Sequence, residues 1–223
     1  MIVGVVLGAI ALVACSSDGS TTASSTTTSV ERTGRPMVRI VGDGVAAVAA
    51  ESVADALDTT DVVDRSVARS TPGSWLDLRD AAVPDEGANH GALASVLAEA
   101  PDLVLLSLGA DLVPPTRNAA MEACQSAGSP TAVADCARGV LDTALYRQRV
   151  MAVVFDVLAH TRSTNVIVVG SGAADGTVAG TIDQQAASAV DGVAEAGASW
   201  RDRIAFAPRP AEVASVLRQR GWS

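Results

Sequence analysis

Met37-Val38-Arg39-Ile40-Val41-Gly42-Asp43-Gly44 is a β-branched apolar run that stops at Gly-Asp-Gly and passes directly into an alanine-rich stretch. Such a run reads as a short strand buried on both faces, followed by a tight turn into a helix. The same reading places strands at 37–41, 62–67, 102–108, 165–170 and 203–206, with helical patterns near 45–57, 91–98, 116–126, 132–161, 178–196 and 210–220. Strands separated by helices imply right-handed crossovers and a parallel sheet covered on both faces. The expected fold is therefore a three-layer α/β/α sandwich around a five-stranded, mainly parallel sheet in flavodoxin-like order. In open sheets of this kind ligands sit beyond the carboxyl ends of the strands, so the functional question falls on residues 42–44.

The chain has 223 residues, 48% of them hydrophobic, which suffices for one substantial core plus extensions. Its formal net charge is −9, and its sixteen basic residues are all arginine. That balance disfavours binding to a nucleic-acid backbone, and no basic run marks a patch for anionic lipid. Arg147, Arg149, Arg201, Arg203, Arg218 and Arg220 read as solvated positions or as partners for the surplus acids.

Residues 1–14 form an apolar run too short to span a bilayer and of the right length for a signal-peptide core, although no Lys or Arg precedes it. Leu12-Val13-Ala14-Cys15 resembles the bacterial lipobox, a resemblance that implies cleavage before Cys15 and its lipidation. The following residues, to about position 34, are mostly Ser and Thr without apolar periodicity and read as a solvated tether, with a folded domain over 35–223. The expected localisation is the cell envelope, anchored to the membrane through Cys15. In such an oxidising compartment the remaining cysteines, Cys124 and Cys136, are expected to pair as a disulfide, because no neighbouring His or Cys completes a metal site.

Three short blocks resemble the SGNH/GDSL hydrolases. Val38 to Gly44 is similar to the first, whose strand ends in Gly-Asp-Ser with the serine as nucleophile; Ser70-Thr71-Pro72-Gly73-Ser74 is similar to the second, whose glycine donates an N–H to the oxyanion. Asp102 to Asp111 is similar to the third, Gly-x-Asn-Asp. The resemblance implies an ester-hydrolase fold with its site at Gly44, Gly73 and Ala110. It also shows what is missing: the nucleophile position is a glycine and the oxyanion-binding asparagine is an alanine. The family's closing Asp-x-x-His should fall within 206–213, which contains neither residue type. Acyl hydrolysis needs an activated hydroxyl and preorganised donors, so no catalytic residue is assigned and the domain is expected to be catalytically degenerate.

The remaining polar residues each have a plainer role beside any chemical one. His90 and His160 read as solvated or helix-capping side chains. Ser52, Ser70, Ser74 and Ser107 are available hydroxyls without an evident base. Asp43, Asp111 and Asp175 each follow an expected strand; they could hold a divalent cation for phosphoester chemistry, or simply accept backbone hydrogen bonds. Gly170-Ser171-Gly172-Ala173-Ala174-Asp175 superficially matches a dinucleotide fingerprint, but an acidic sixth position opposes a pyrophosphate, so it reads as a Gly-rich rim loop. Trp75, Trp200 and Trp222 are too separated in sequence to suggest a carbohydrate platform. No cofactor or metal is expected. The ligand is expected to be an envelope glycan, an acyl group or a protein.

Overall fold

The structure, a computed structural model, describes residues 34–42, 44–65, 93, 96–108 and 115–222. Residues Gly34–Ser223 form one compact unit. Five strands, β1 Val38–Gly42, β2 Val62–Asp64, β3 Leu103–Ser107, β4 Asn165–Val169 and β5 Ile204–Ala207, pair in parallel in the order β2-β1-β3-β4-β5. This is the flavodoxin-like order, with its switch point between β1 and β3. The helices are α1 Ala50–Ala56, α2 Pro115–Cys124, α3 Pro130–Val140, α4 Thr143–His160, α5 Val178–Ala196, α6 Ala198–Arg201 and α7 Val213–Arg220.

Alternation along the strands explains the three layers. Val41, Val104, Leu106, Val166 and Val168 face a core built with α2 to α5. Ile40, Leu103, Leu105, Ile167 and Val169 face the opposite core, built with α1 and α7. Because both faces are buried, β1 and β3 read as mainly apolar runs in sequence, broken on β1 by Arg39 and ended on β3 by Ser107, as expected for a covered parallel sheet.

Two sequence expectations change. The single helix expected over 132–161 is two helices, α3 and α4. Asp142 adopts a left-handed conformation (φ 38°) and its carboxylate accepts from the Leu145 N–H at 3.2 Å, so it stops one helix and caps the next. The start of the expected helix 45–57 is a 3₁₀ turn, Val45–Ala49, that continues into α1. Cys124 and Cys136 form the expected disulfide between α2 and α3.

The arginines also depart from a uniform solvated role. Arg203 is half-buried and donates to the carbonyls of Leu158, Thr161 and Thr164 (3.3, 2.6 and 2.9 Å), which satisfies backbone acceptors between the end of α4 and β4. Burial lowers its pKa from the ordinary arginine value. Arg147 has a buried Nε with no hydrogen-bond partner among the described residues. On β1, Arg39 is buried and paired with Glu99 (2.6 Å) and Asp61 (3.0 Å). Burial alone would lower its pKa, but the hydrogen bonds and charges of Glu99 and Asp61 outweigh it and raise the value.

Candidate functional site

The carboxyl edge of the sheet is built on two glycines with different jobs. Gly42 pairs in register with Ser107 at the end of β3, with φ 129°; a Cβ on Gly42 would lie 1.9 Å from the Ser107 carbonyl oxygen. Only glycine lets the two strand ends approach this closely. Gly44 (φ 86°) is the N-cap of the 3₁₀ turn, makes no side-chain cap, and among the described residues has nothing within 4 Å of where a Cβ would stand. The turn therefore carries no side chain at the position where the resembled family has its nucleophile. Ser107, the strand-end hydroxyl considered from the sequence, is buried.

The loop after β4 is held by α5. Asp183 accepts from the Ser171 backbone N–H (3.0 and 3.1 Å) and from the Ser171 hydroxyl (2.8 Å), while the Ser171 Oγ accepts from the Ala173 N–H at 3.2 Å. Asp175 accepts from the Gln184 amide at 3.2 Å. Thr177 caps α5 by accepting from the Gly180 N–H at 2.9 Å. Across this loop, where the family's Asp-x-x-His would fall, Arg209 and Glu212 form an ion pair at 2.5 Å. Arg209 packs over Gly172, whose Cβ would stand 2.8 Å from the Arg209 Cβ.

Two cavities open along this loop. The larger, about 620 Å³, lies between Gln125, Gly128, Ser129, Pro130 and Val133 on one side and Ala173, Gly176, Thr177, Val178 and Ala179 on the other. Its first wall is enclosed by the disulfide, and the walls meet where Gly176 packs on Pro130, a Cβ there falling 2.5 Å from the Pro130 Cβ. The caps Ser129 and Thr177 both line it, so the N-terminal ends of α3 and α5 converge on it. The smaller, about 310 Å³, is bounded by Asp175, Asp183, Gln184, Phe206 and Arg209. The first is mainly apolar with neutral polar groups; the second is polar and charged.

The residues proposed from sequence divide accordingly. Gly44 and Ser107 lie at the carboxyl edge, and Asp175 follows β4 as expected. Asp43, Ser70, Gly73, Ser74, Trp75, His90, Ala110 and Asp111 lie outside the described residues, as does Cys15. Ser52 is exposed on α1, and His160 ends α4 at the opposite edge of the sheet. Among the described residues no group of three or more His, Cys, Asp or Glu side chains could hold a metal ion. Sequence reading missed the Ser171–Asp183 pair and the larger cavity. The available signal was the Gly-rich loop followed by Thr177, a helix cap eight residues after β4, and the short span between the cysteines.

No protein-family model matches the chain, and no curated protein matches it. Among solved structures, the chain is similar to phospholipase A1 from Streptomyces albidoflavus NA297, at 13% identity and a TM-score of 0.43, over 85% of this chain and 86% of that one.

Proposed function

We propose that the chain is an exported, lipid-anchored envelope protein whose SGNH-like domain binds a ligand at the carboxyl edge of its sheet without cleaving it. Gly44 carries this reading: the turn where the resembled hydrolases place a nucleophilic hydroxyl holds no side chain, and no described residue comes within 4 Å of where a Cβ would stand. The Arg209–Glu212 pair in place of an acid–histidine dyad is consistent with it. The ligand is an envelope glycan, an acyl group or a protein, and the 620 Å³ cavity is of ordinary ligand-binding size. Hydrolysis of short-chain p-nitrophenyl esters tests the reading, with Gly44→Ser measured alongside. The unaltered protein is expected to match the uncatalysed rate. Turnover abolished by a serine-directed fluorophosphonate would refute it.

One observation favours a second reading, an esterase with a displaced nucleophile. Ser171 donates to Asp183 at the carboxyl edge and is exposed. If the unaltered protein does turn over esters, Ser171→Ala is the variant that assigns the hydroxyl. Loss of activity on chelation would instead point to cation-dependent chemistry involving Asp43, Asp111 and Asp175.

A further inference from the structure

In βαβ units the helices run back toward the amino edge of the sheet, so residues at helix ends and strand starts gather there whatever their distance in sequence. Arg162 follows α4, Arg201 ends α6, and Arg218 and Arg220 lie in the last turn of α7. All four are exposed. Hydrogen bonds make the group contiguous: Arg220 Nη1 donates to the Arg201 carbonyl at 3.1 Å, and Arg203 reaches from the start of β5 to the carbonyls of Leu158 and Thr161, on either side of His160 and next to Arg162. None of these arginines forms an ion pair among the described residues. The exposed acids on this edge are Asp202, Glu195 at the end of α5, and Asp58 after α1. Three further acids toward β1 and β2 are engaged: Asp61 and Glu99 with Arg39, Asp102 with the Met37 N–H.

This cluster is a local excess of positive charge on a chain whose formal net charge is −9. Screening confines each charge to about 10 Å at ordinary ionic strength, so a flat anionic surface meeting this edge feels the cluster more than the net charge. Trp222 adds an amphipathic group: it is partly exposed, packs at the margin of the α1/α7 core, and lies 5.8 Å from the Arg220 guanidinium. Arg plus an edge Trp suits a membrane interface better than a purely aqueous polyanion. Arg35, also exposed, immediately precedes β1, three strand spacings from β5, or about 14 Å. The chain therefore enters the folded unit at the same edge.

We infer that the amino edge, through Arg162, Arg201, Arg218, Arg220 and Trp222, docks on an anionic lipid surface and turns the ligand edge away from it. Which membrane it meets rests on the export and anchoring reading above; the charge preference does not. The full chain is sedimented with phosphatidylcholine vesicles and with phosphatidylcholine–phosphatidylglycerol vesicles, at about 0.05 M and about 0.5 M salt. Partitioning is expected to favour the anionic vesicles at low salt and to lose that preference at high salt. Arg201→Gln/Arg220→Gln should lower the preference by about 25-fold, roughly five-fold per arginine, while Arg65→Gln/Arg138→Gln, equal in charge change but elsewhere, should lower it less than about three-fold. Equal loss in both double variants, or no preference for anionic vesicles in the unaltered chain, overturns the inference. Cys15→Ala should keep the preference, and its loss there would assign the preference to the N-terminal segment instead. Mass measurement of chain recovered from expressing cells reports lipidation of Cys15 separately, so the two readings fail independently.

Discussion

Replacing Gly42 by alanine should be among the most damaging single-methyl additions available to this fold. The new Cβ would stand 1.9 Å from the Ser107 carbonyl oxygen and 2.9 Å from the Ser107 nitrogen, whereas real Cβ contacts essentially never fall below 3.0 Å. Relief requires β1 and β3 to part by roughly 1.1 Å at their carboxyl ends, where Gly42 and Ser107 are paired. Overpacking of a rigid interior costs about 1–3 kcal/mol, and a positive φ on an L-residue adds about 1–2 kcal/mol. The sum, about 2–5 kcal/mol, is a large share of a typical domain's stability and corresponds to a fall in Tm of about 4–20 °C for a folded unit of this size. Gly44→Ala is the built-in comparison: its φ of 86° carries the same backbone strain, but no atom of the described residues lies within 4 Å, so only the strain of about 1–2 kcal/mol is expected. Urea unfolding of both variants, read by circular dichroism, checks the contrast. If Gly42→Ala unfolds within about 0.5 kcal/mol of the unaltered protein, the close approach of the two strand ends is wrong.

Other outcomes follow from separate features. Cys124→Ala/Cys136→Ala should lose about 3 kcal/mol by the chain-entropy argument for a separation of 12 residues, and hydrogen exchange should rise first in the cavity wall over 125–133. Arg203→Met leaves the carbonyls of Leu158, Thr161 and Thr164 without their side-chain donor and should destabilise by about 2–3 kcal/mol, measured by denaturant unfolding. Asp183→Ala should cost only about 1 kcal/mol globally, because its bonds to Ser171 are exposed, yet should raise exchange of the Ser171 and Ala173 amides relative to the sheet. Unchanged exchange there would show that Asp183 does not hold the loop.

The sheet was legible because parallel strands buried on both faces are mainly apolar, and the runs around 38–42, 103–107 and 165–169 are, with Arg39, Ser107 and Asn165 the exceptions. Strand order followed from the element sequence, since short right-handed crossovers leave few alternatives. The break at Asp142 was hidden because the flanking residues keep a helical pattern on both sides, and a single left-handed residue leaves no mark on periodicity. The larger cavity and the arginine cluster were illegible for a different reason. Each gathers residues from segments that are distant in the chain: 125–133 with 173–179 in one case, 162 with 201 and 220 in the other. Of the site itself, the loss of a side chain at Gly44 could be read directly, whereas the Arg209–Glu212 pair emerged only once the turn after β5 brought the two together.

The bridge between Cys124 and Cys136 has one more consequence. It fastens both ends of a short segment to buried ground, Cys124 in the core and Cys136 packed against it, while most of the residues between them are exposed or line the cavity. Such a segment behaves as an exchangeable cassette: the exposed side chains at 125, 126 and 127, the first of them lining the cavity, can vary, and the segment can lengthen at its tip, with little effect on the sheet. Ligand choice could diverge among descendants of this chain, or be re-engineered in it, by rewriting those few positions alone.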